Sequence, residues 1–248
     1  MRARTTQILE AAVREFIRTG LPVSSLGLSR RGAFGVGAAT IRAELNSLTN
    51  DGYLSQLHTS GGRVPADKGY ELFVERVLAL LPAEETRRGD LDLAREFLES
   101  PSPFGAKGEG RREFVRCVSR RLHLLSVGYA PESGDLYQSG LDDLFERLEV
   151  EGRPELTEIA RDIEALEERV ARIIERSFSL TSDEHAPWVF IGKKSPLTTS
   201  EHLSVIMDKY ADGSGGHFFF LTIGPKRMDY QRNLSLFKIL HDSLCHDR

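Results

Sequence analysis

The stretch from Val36 to Tyr70, VGAATIRAELNSLTNDGYLSQLHTSGGRVPADKGY, decides how the front of the chain folds. Asp51-Gly52 is a helix stop, Tyr53 to Leu57 alternates like a short strand, and Gly61-Gly62 turns the chain into a second strand around Arg63. The helix before the stop is indicated by apolar side chains at steps of four and three residues, namely Ile41, Leu45 and Leu48. We therefore predict a helix followed by a two-stranded hairpin.

Two further helices are expected upstream of this segment. The first runs from about Thr5 to Thr19 and is ended by Gly20, and Ser24 or Ser25 offers an N-cap for a short second helix. Helix, short helix, turn and longer helix is the helix-turn-helix order. A plain three-helix bundle is the alternative, but the basic hairpin that follows favours a winged helix.

Candidate DNA contacts fall into two groups. Thr40 and Arg42 lie near the start of the third helix, whose N-terminal residues reach furthest into the major groove, and Asn46 lies one turn on. Arg42 could donate two hydrogen bonds to a guanine or bind a phosphate, and the sequence does not distinguish these two roles. The hairpin tip supplies small polar side chains and an arginine suited to phosphates or the minor groove: His58, Thr59, Ser60 and Arg63.

Composition and charge fit a small nucleic-acid-binding domain at the front of the chain, followed by a more acidic remainder. The chain has 248 residues, 40% of them hydrophobic, and a net charge of −4. Residues 1–70 hold nine Lys/Arg against five Asp/Glu, so the front is +4 and the remainder −8. No apolar run approaches the length of a membrane span, and we expect a cytoplasmic protein. Cys117 and Cys245 lie far apart and predict neither a disulfide nor a thiolate metal site.

Enzymatic motifs are missing from the sequence. The seven histidines are scattered, and there is no HExxH or GxSxG. Asp142-Asp143 is an adjacent pair whose side chains would diverge. The glycine-rich stretch from Asp212 to Gly216 lacks the lysine of a phosphate loop and predicts a hairpin turn. We expect no catalytic residue, no cofactor and no metal.

Thirteen consecutive residues of the hairpin, HTSGGRVPADKGY from His58 to Tyr70, resemble the DNA-binding domain of the HrcA family of heat-inducible transcription repressors. Ala39 to Arg42 and Gly52 to Leu54 resemble the same domain. Near the far end, IGPKRMDY from Ile223 to Tyr230 is similar to the family's GPxRMDY segment, and Val189 to Gly192 resembles the strand before it. Two separated motifs in the right order strengthen each other.

The resemblance implies an α+β chain, with an N-terminal winged helix-turn-helix domain followed by a GAF-like α/β domain. It implies a homodimeric repressor of stress-response genes, binding an inverted-repeat operator upstream of chaperone operons, with the GroEL chaperonin maintaining its active state. Carried onto this chain, the DNA-contacting positions are Thr40, Arg42, Thr59, Ser60 and Arg63.

The chain also departs from the family pattern. Gly37 stands where the family usually caps the helix with serine, and Ala43 where it usually has asparagine. The chain is shorter than family members, so the inserted dimerisation domain is truncated or lacking, between about Pro82 and Tyr137. The alternative function is therefore a degenerate homologue that acts as a protein-interaction or heterodimerising module without an operator of its own.

Three regions are predicted along the chain. Residues 1–81 form the winged helix-turn-helix domain, which ends in a helix from Glu71 to Leu81. Residues 82–112 form a linker and mobile loop, rich in Pro, Gly and Ser from Ser100 to Gly110. Residues 113–248 form the GAF-like regulatory and dimerisation domain.

Helices and strands of the last region follow from periodicity. Apolar residues at steps of four and three predict one helix from Glu155 to about Phe178, packed either on its own domain's sheet or against a second copy. Strands and a final helix are predicted at Trp188–Gly192, Leu203–Tyr210, His217–Ile223 and Met228–Leu244.

Overall fold

The structure, a computed structural model, describes residues 1–32, 34–56, 61–81, 108–148, 152–177, 187–211 and 216–245. The chain divides into two compact units. The first unit is Met1–Leu80 together with Arg227–Asp229, and the second unit is Leu81–Lys226 together with Tyr230–Arg248. The protein is therefore a mixed α+β chain, as predicted.

The first unit is built from helices and one short ribbon. Its elements are α1 (Ala3–Thr19), α2 (Ser25–Arg31), α3 (Ala38–Asn50), β1 (Leu54–Ser55), β2 (Val64–Pro65) and α4 (Asp67–Leu80). Gly20 ends α1 with a φ of 67°, a left-handed conformation that glycine adopts without a steric penalty. Ser24 caps α2, since its Oγ accepts a hydrogen bond from the Gly27 N–H at 3.0 Å.

The core of the first unit uses the stripes predicted from the sequence. Fully buried side chains from all four helices meet there: Ile8, Leu9, Val13, Leu28, Ile41, Leu45, Leu48, Tyr70 and Phe73. Burying one such side chain stabilises the fold by about 1.5–3 kcal/mol. The exposed face of α3 is thereby fixed, because its opposite face is in this core.

Two predicted boundaries in this unit were wrong. Among the described residues, the strand expected over Tyr53 to Leu57 begins at Leu54 and pairs Leu54 with Pro65 and Ser55 with Val64, while Leu57 lies outside those residues. The helix expected from Glu71 starts at Asp67. The acidic side chain of Asp67 lies in the first turn, where it interacts favourably with the positive end of the helix dipole.

The second unit is a five-stranded antiparallel sheet with helices on both faces. The strand order is β4-β3-β7-β6-β5. The elements are α5 (Glu109–Leu122), β3 (Leu125–Ala130), β4 (Asp135–Ser139), α6 (Leu141–Arg147), α7 (Arg153–Glu164), α8 (Leu166–Ser177), β5 (Trp188–Ile191), β6 (Leu203–Ala211), β7 (His217–Pro225) and α9 (Tyr230–Cys245).

Alternation along β7 separates the two faces of the sheet. Phe220 packs edge-on against Phe114 of α5, with ring centroids 4.9 Å apart, and stacks on Phe237 of α9 at 5.4 Å. Leu221 and Ile223 point to the other face and share a core with buried residues of α6, α7 and α8. The sheet is therefore covered on both sides.

The continuous helix predicted from Glu155 was wrong. Ala165, with φ −87° and ψ 1°, separates α7 from α8. The apolar seam nevertheless lies on one side, since Ile159, Leu166 and Val170 are buried in the core against the sheet. Of the two interpretations, packing on the unit's own sheet is the one observed, and Phe178 lies outside the described residues.

A buried carboxylate accompanies the break between α7 and α8. Asp162 accepts hydrogen bonds from the Thr199 N–H (2.8 Å), the Thr199 hydroxyl (2.8 Å), the Ser200 N–H (2.9 Å) and the Arg169 guanidinium (2.6 Å). Burial raises the pKa of Asp162, but the hydrogen bonds from Arg169, Thr199 and Ser200 together lower it by a larger amount. The pKa therefore lies below its ordinary value. The carboxylate ties the helical layer to the segment before β6.

Predicted strands β5, β6 and β7 are present, and one strand was missed. The segment Asp135–Ser139 forms β4 although its short sequence, DLYQS, carries little apolar alternation. The hairpin predicted at Asp212 to Gly216 agrees with the antiparallel pairing of Ala211 with His217, while residues 212–215 lie outside the described part. Most of the predicted linker is also outside it, and α5 begins at Glu109.

No helix among the described residues is long and apolar enough to cross a membrane.

Candidate nucleic-acid interface

The exposed face of α3 carries the candidate contacts of the helix. Thr40, Arg42, Ala43 and Asn46 are all exposed. Because each helical residue turns by about 100°, Arg42 and Asn46 share one flank, Thr40 lies on the opposite flank, and Ala43 lies between them. The structure therefore brings Arg42 and Asn46 together and separates Thr40 from them.

The charge of Arg42 is not neutralised by its own helix. Glu44 is the acidic residue of α3, and its Oε2 accepts a hydrogen bond from the Thr5 hydroxyl of α1 at 2.8 Å. That bond holds the carboxylate on the α1 side, about 200° around the helix from Arg42. Within the described part of the chain, Arg42 has no hydrogen bond or ion pair. Its guanidinium is available to a ligand.

The helix begins without a side-chain cap. Gly37 occupies the N-cap position with extended backbone (φ −75°, ψ 167°) and makes no side-chain hydrogen bond. A serine at this position would accept a bond from an early amide of α3. The departure noted in the sequence is therefore a real difference in how α3 starts.

The ribbon is joined to the segment before α2 by two backbone hydrogen bonds. The Val23 N–H donates to the Arg63 carbonyl at 2.8 Å, and the Arg63 N–H donates to the Val23 carbonyl at 2.9 Å. Gly62 makes this approach possible, because a Cβ there would lie 2.6 Å from the carbonyl carbon of Pro22. Sequence reasoning assigned Gly62 to a turn and missed the bridge. The available clue was Pro22, which favours an extended backbone at Leu21 just before it.

Arg63 also joins the ribbon to α3. Its Nη2 donates to Oδ1 of Asn46. The Arg63 side chain is half-buried, and its Nε is buried with no partner among the described residues. The structure thus places the Arg63 side chain against α3, and its predicted contact with phosphates or the minor groove stays a prediction. His58, Thr59 and Ser60 lie outside the described residues.

The rest of the thirteen-residue motif connects the ribbon to α4. A Cβ on Gly69 would lie 2.2 Å from the Tyr53 carbonyl oxygen, so only glycine fits there. The Lys68 ammonium lies 4.2 Å from the centroid of the Tyr53 ring and donates to the Asp51 carbonyl at 2.9 Å. Much of the motif that carries the resemblance therefore has a structural role.

These features define an α+β protein of two units, whose first unit presents an arginine-bearing helix beside a short antiparallel ribbon. Residues 84–234 match the model of the HrcA protein C-terminal domain, which is more than half of the chain. The chain therefore belongs to the HrcA family.

Curated relatives match over a shorter segment. A heat-inducible transcription repressor HrcA of Beutenbergia cavernae is 47% identical over 85 residues, which are 34% of this chain and 24% of the relative. The corresponding protein of Bifidobacterium longum is 44% identical over 86 residues, 35% of this chain and 23% of the relative. The chain spans about a quarter of the length of the curated relatives it matches.

One solved structure shares the fold over nearly the whole chain. A crystal structure at 2.2 Å resolution, described as a hypothetical protein, superposes with a TM-score of 0.76 at 18% identity. The match covers 99% of this chain and 98% of the other.

Proposed function

We propose that this protein is a DNA-binding transcriptional repressor of heat-shock (chaperone) genes. In this proposal the first unit is a winged helix-turn-helix domain, with α3 as the recognition helix and the β1–β2 ribbon as the wing. The observation that carries the proposal is the bridge from ribbon to helix, in which Arg63 bonds Asn46 while Arg42 stays exposed beside them.

The α3 face has the chemistry of a major-groove reader. Ala39 and Ala43 are small, so the helix backbone can approach base edges closely. Arg42 provides either a bidentate donor to guanine or a cation for a phosphate. Thr40, on the other flank, supplies a hydroxyl to the opposite wall of the groove. His58, Thr59 and Ser60 remain proposed contacts of the wing tip.

The proposed active form is a homodimer on an inverted-repeat operator. Two copies of α3 would enter major grooves about 34 Å apart or a multiple of that distance. The second unit is then the GAF-like regulatory and dimerisation domain, and the GroEL chaperonin is a proposed partner that maintains the active state. Family membership supports this assignment.

A gel shift with the full chain tests the proposal. The probes are duplexes of the inverted repeats found upstream of chaperone operons in the source genome, and the control is a scrambled duplex of equal length and composition. A repressor binds the repeat more tightly than the control, and log K falls with log salt by about 0.9 per phosphate neutralised. Equal binding to both duplexes would refute a specific operator.

The short match to curated relatives favours one alternative. A degenerate homologue would act as a protein-interaction or heterodimerising module without its own operator. It would bind neither duplex specifically and would co-purify with a longer family member, whose mass is measured by multi-angle light scattering and mass spectrometry.

A further inference from the structure

We propose that Arg63 is a positioning residue that makes Asn46 a hydrogen-bond donor, so that Asn46 selects guanine and rejects adenine in the operator. This inference rests on the proposed function and specifies what one position of the α3 face recognises. It also changes the role of Arg63, from a phosphate contact to a determinant of specificity.

The direction of the Asn46 amide follows from the chemistry of its partner. A guanidinium has five donors and no acceptor, so the atom of Asn46 that faces Arg63 must be the carbonyl oxygen Oδ1. The amide nitrogen Nδ2 then lies on the other branch of the side chain. Asn46 is exposed, and nothing else in the described part of the chain holds its Nδ2. Two N–H donors are therefore offered to a ligand.

Arg63 is held in place from several sides. Both backbone polar groups of Arg63 are bonded to Val23, and Gly62 fits closely against Pro22. The Nε atom is buried, which limits the swing of the guanidinium toward a phosphate. The positive charge consequently stays beside Oδ1 of Asn46.

This arrangement disfavours recognition of adenine by Asn46. Asparagine normally recognises adenine with both ends of its amide, since Oδ1 accepts from the N6 amino group and Nδ2 donates to N7. At Asn46 an adenine N6 amino group could reach Oδ1 only through its second lone pair, beside the Arg63 guanidinium, which places one donor against another. A guanine in the same place presents O6 and N7, which are both acceptors. The Nδ2 donors and the guanidinium then both face an acceptor edge.

The test is a selection from random duplexes with the full chain, followed by sequencing of the bound DNA. Wild type is compared with Arg63→Met, which removes the donor at similar length, and with Asn46→Asp, which keeps an acceptor for Arg63 and removes both amide donors. Arg147→Gln, an exposed cation on α6, controls for loss of one positive charge. Circular dichroism checks that each variant folds.

The expected result is a change of base preference at one position of each half-site. Wild type and Arg147→Gln favour guanine over adenine there, by roughly tenfold. Arg63→Met frees Oδ1 and shifts that position toward adenine. Asn46→Asp loses the guanine preference while the neighbouring positions keep theirs.

Three outcomes overturn the inference. If Arg63→Met selects the same bases and only binds more weakly, with a salt slope smaller by about 0.9, Arg63 is a phosphate contact. If Arg63→Met does not fold, Asn46→Asp decides, and wild-type base preferences in that variant refute the role of Asn46. A wild-type selection that enriches no sequence refutes the proposed function and the inference together, whereas the first two outcomes leave the proposed function intact.

Discussion

Each unit contains an arginine that bonds a polar side chain on a helix, and the two pairs differ in burial. Asp162 is fully buried and accepts four hydrogen bonds, from Arg169, Thr199 and Ser200. Asn46 is exposed and, within the described ranges of the chain, accepts a bond from Arg63. The buried pair is saturated by the protein and serves stability, while the exposed pair keeps donors that a ligand can use.

The largest expected effect is on the buried pair. Asp162→Ala should destabilise the second unit by roughly 3 kcal/mol, because it leaves the Arg169 charge without its carboxylate partner and two backbone N–H groups without their acceptor. Urea unfolding followed by circular dichroism measures the change. Glu164→Ala, at an exposed position of the same helix, is the control and should change stability by less than about 0.5 kcal/mol. Equal stability of wild type and Asp162→Ala would remove the contrast between the pairs.

The next effect is on the bridge that positions the exposed pair. Gly62→Ala places a Cβ 2.6 Å from the Pro22 carbonyl carbon and 2.8 Å from the Val23 carbonyl oxygen, so the ribbon must move. Operator affinity should fall by about tenfold or more, which corresponds to loss of a positioned contact. Fluorescence anisotropy with a labelled operator measures it, and Ser55→Ala, exposed on β1, is the control. Unchanged affinity in Gly62→Ala would mean that the ribbon need not be docked.

Acid should weaken the buried pair selectively. The pKa of Asp162 lies below its ordinary value in the folded protein, so its stabilisation is complete above the unfolded pKa and is lost as pH falls through the folded pKa. The stability difference between wild type and Asp162→Asn should therefore shrink as pH falls below about 4. Unfolding curves at pH 7 and at successively lower pH give this difference. A difference that stays constant over that range would contradict the role of the charge.

The smallest effect is expected at the start of α3. Gly37→Ser adds a side chain in open space, with backbone dihedrals that suit an N-cap. The first unit should gain a few tenths of a kcal/mol, because serine caps only slightly better than glycine. Differential scanning calorimetry measures the gain. A loss of stability would show that the α3 amides already have a better acceptor.

Local patterns in the sequence predicted the helices and most strands, and the long-range bonds escaped them. The stripe of Ile41, Leu45 and Leu48 is enough to orient α3, since burial follows directly from spacing. The partners Asn46 and Arg63 are 17 residues apart, and Asp162 and Thr199 are 37 apart. No local period links such pairs.

The break between α7 and α8 at Ala165 was not predicted from the sequence, for a related reason. Apolar residues continue through it at helical spacing, with Ile163 just before and Leu166 just after. The tertiary bonds of Asp162 accompany the break, and they involve loop residues that the helical pattern does not include. For the candidate site, the sequence predicted which residues lie on the exposed face of α3, but it did not predict the bond between Arg63 and Asn46, and the DNA contacts stay predictions.

The most direct test of the account is the operator affinity of Arg42→Ala across a salt series. Arg42 is exposed on the α3 face, so its removal should leave thermal unfolding unchanged. We expect binding weaker by roughly 1–3 kcal/mol if the guanidinium contacts a base, or a salt slope smaller by about 0.9 if it contacts a phosphate. Wild-type affinity and wild-type salt slope in a folded Arg42→Ala protein would contradict the claim that α3 and the ribbon form a DNA-reading surface.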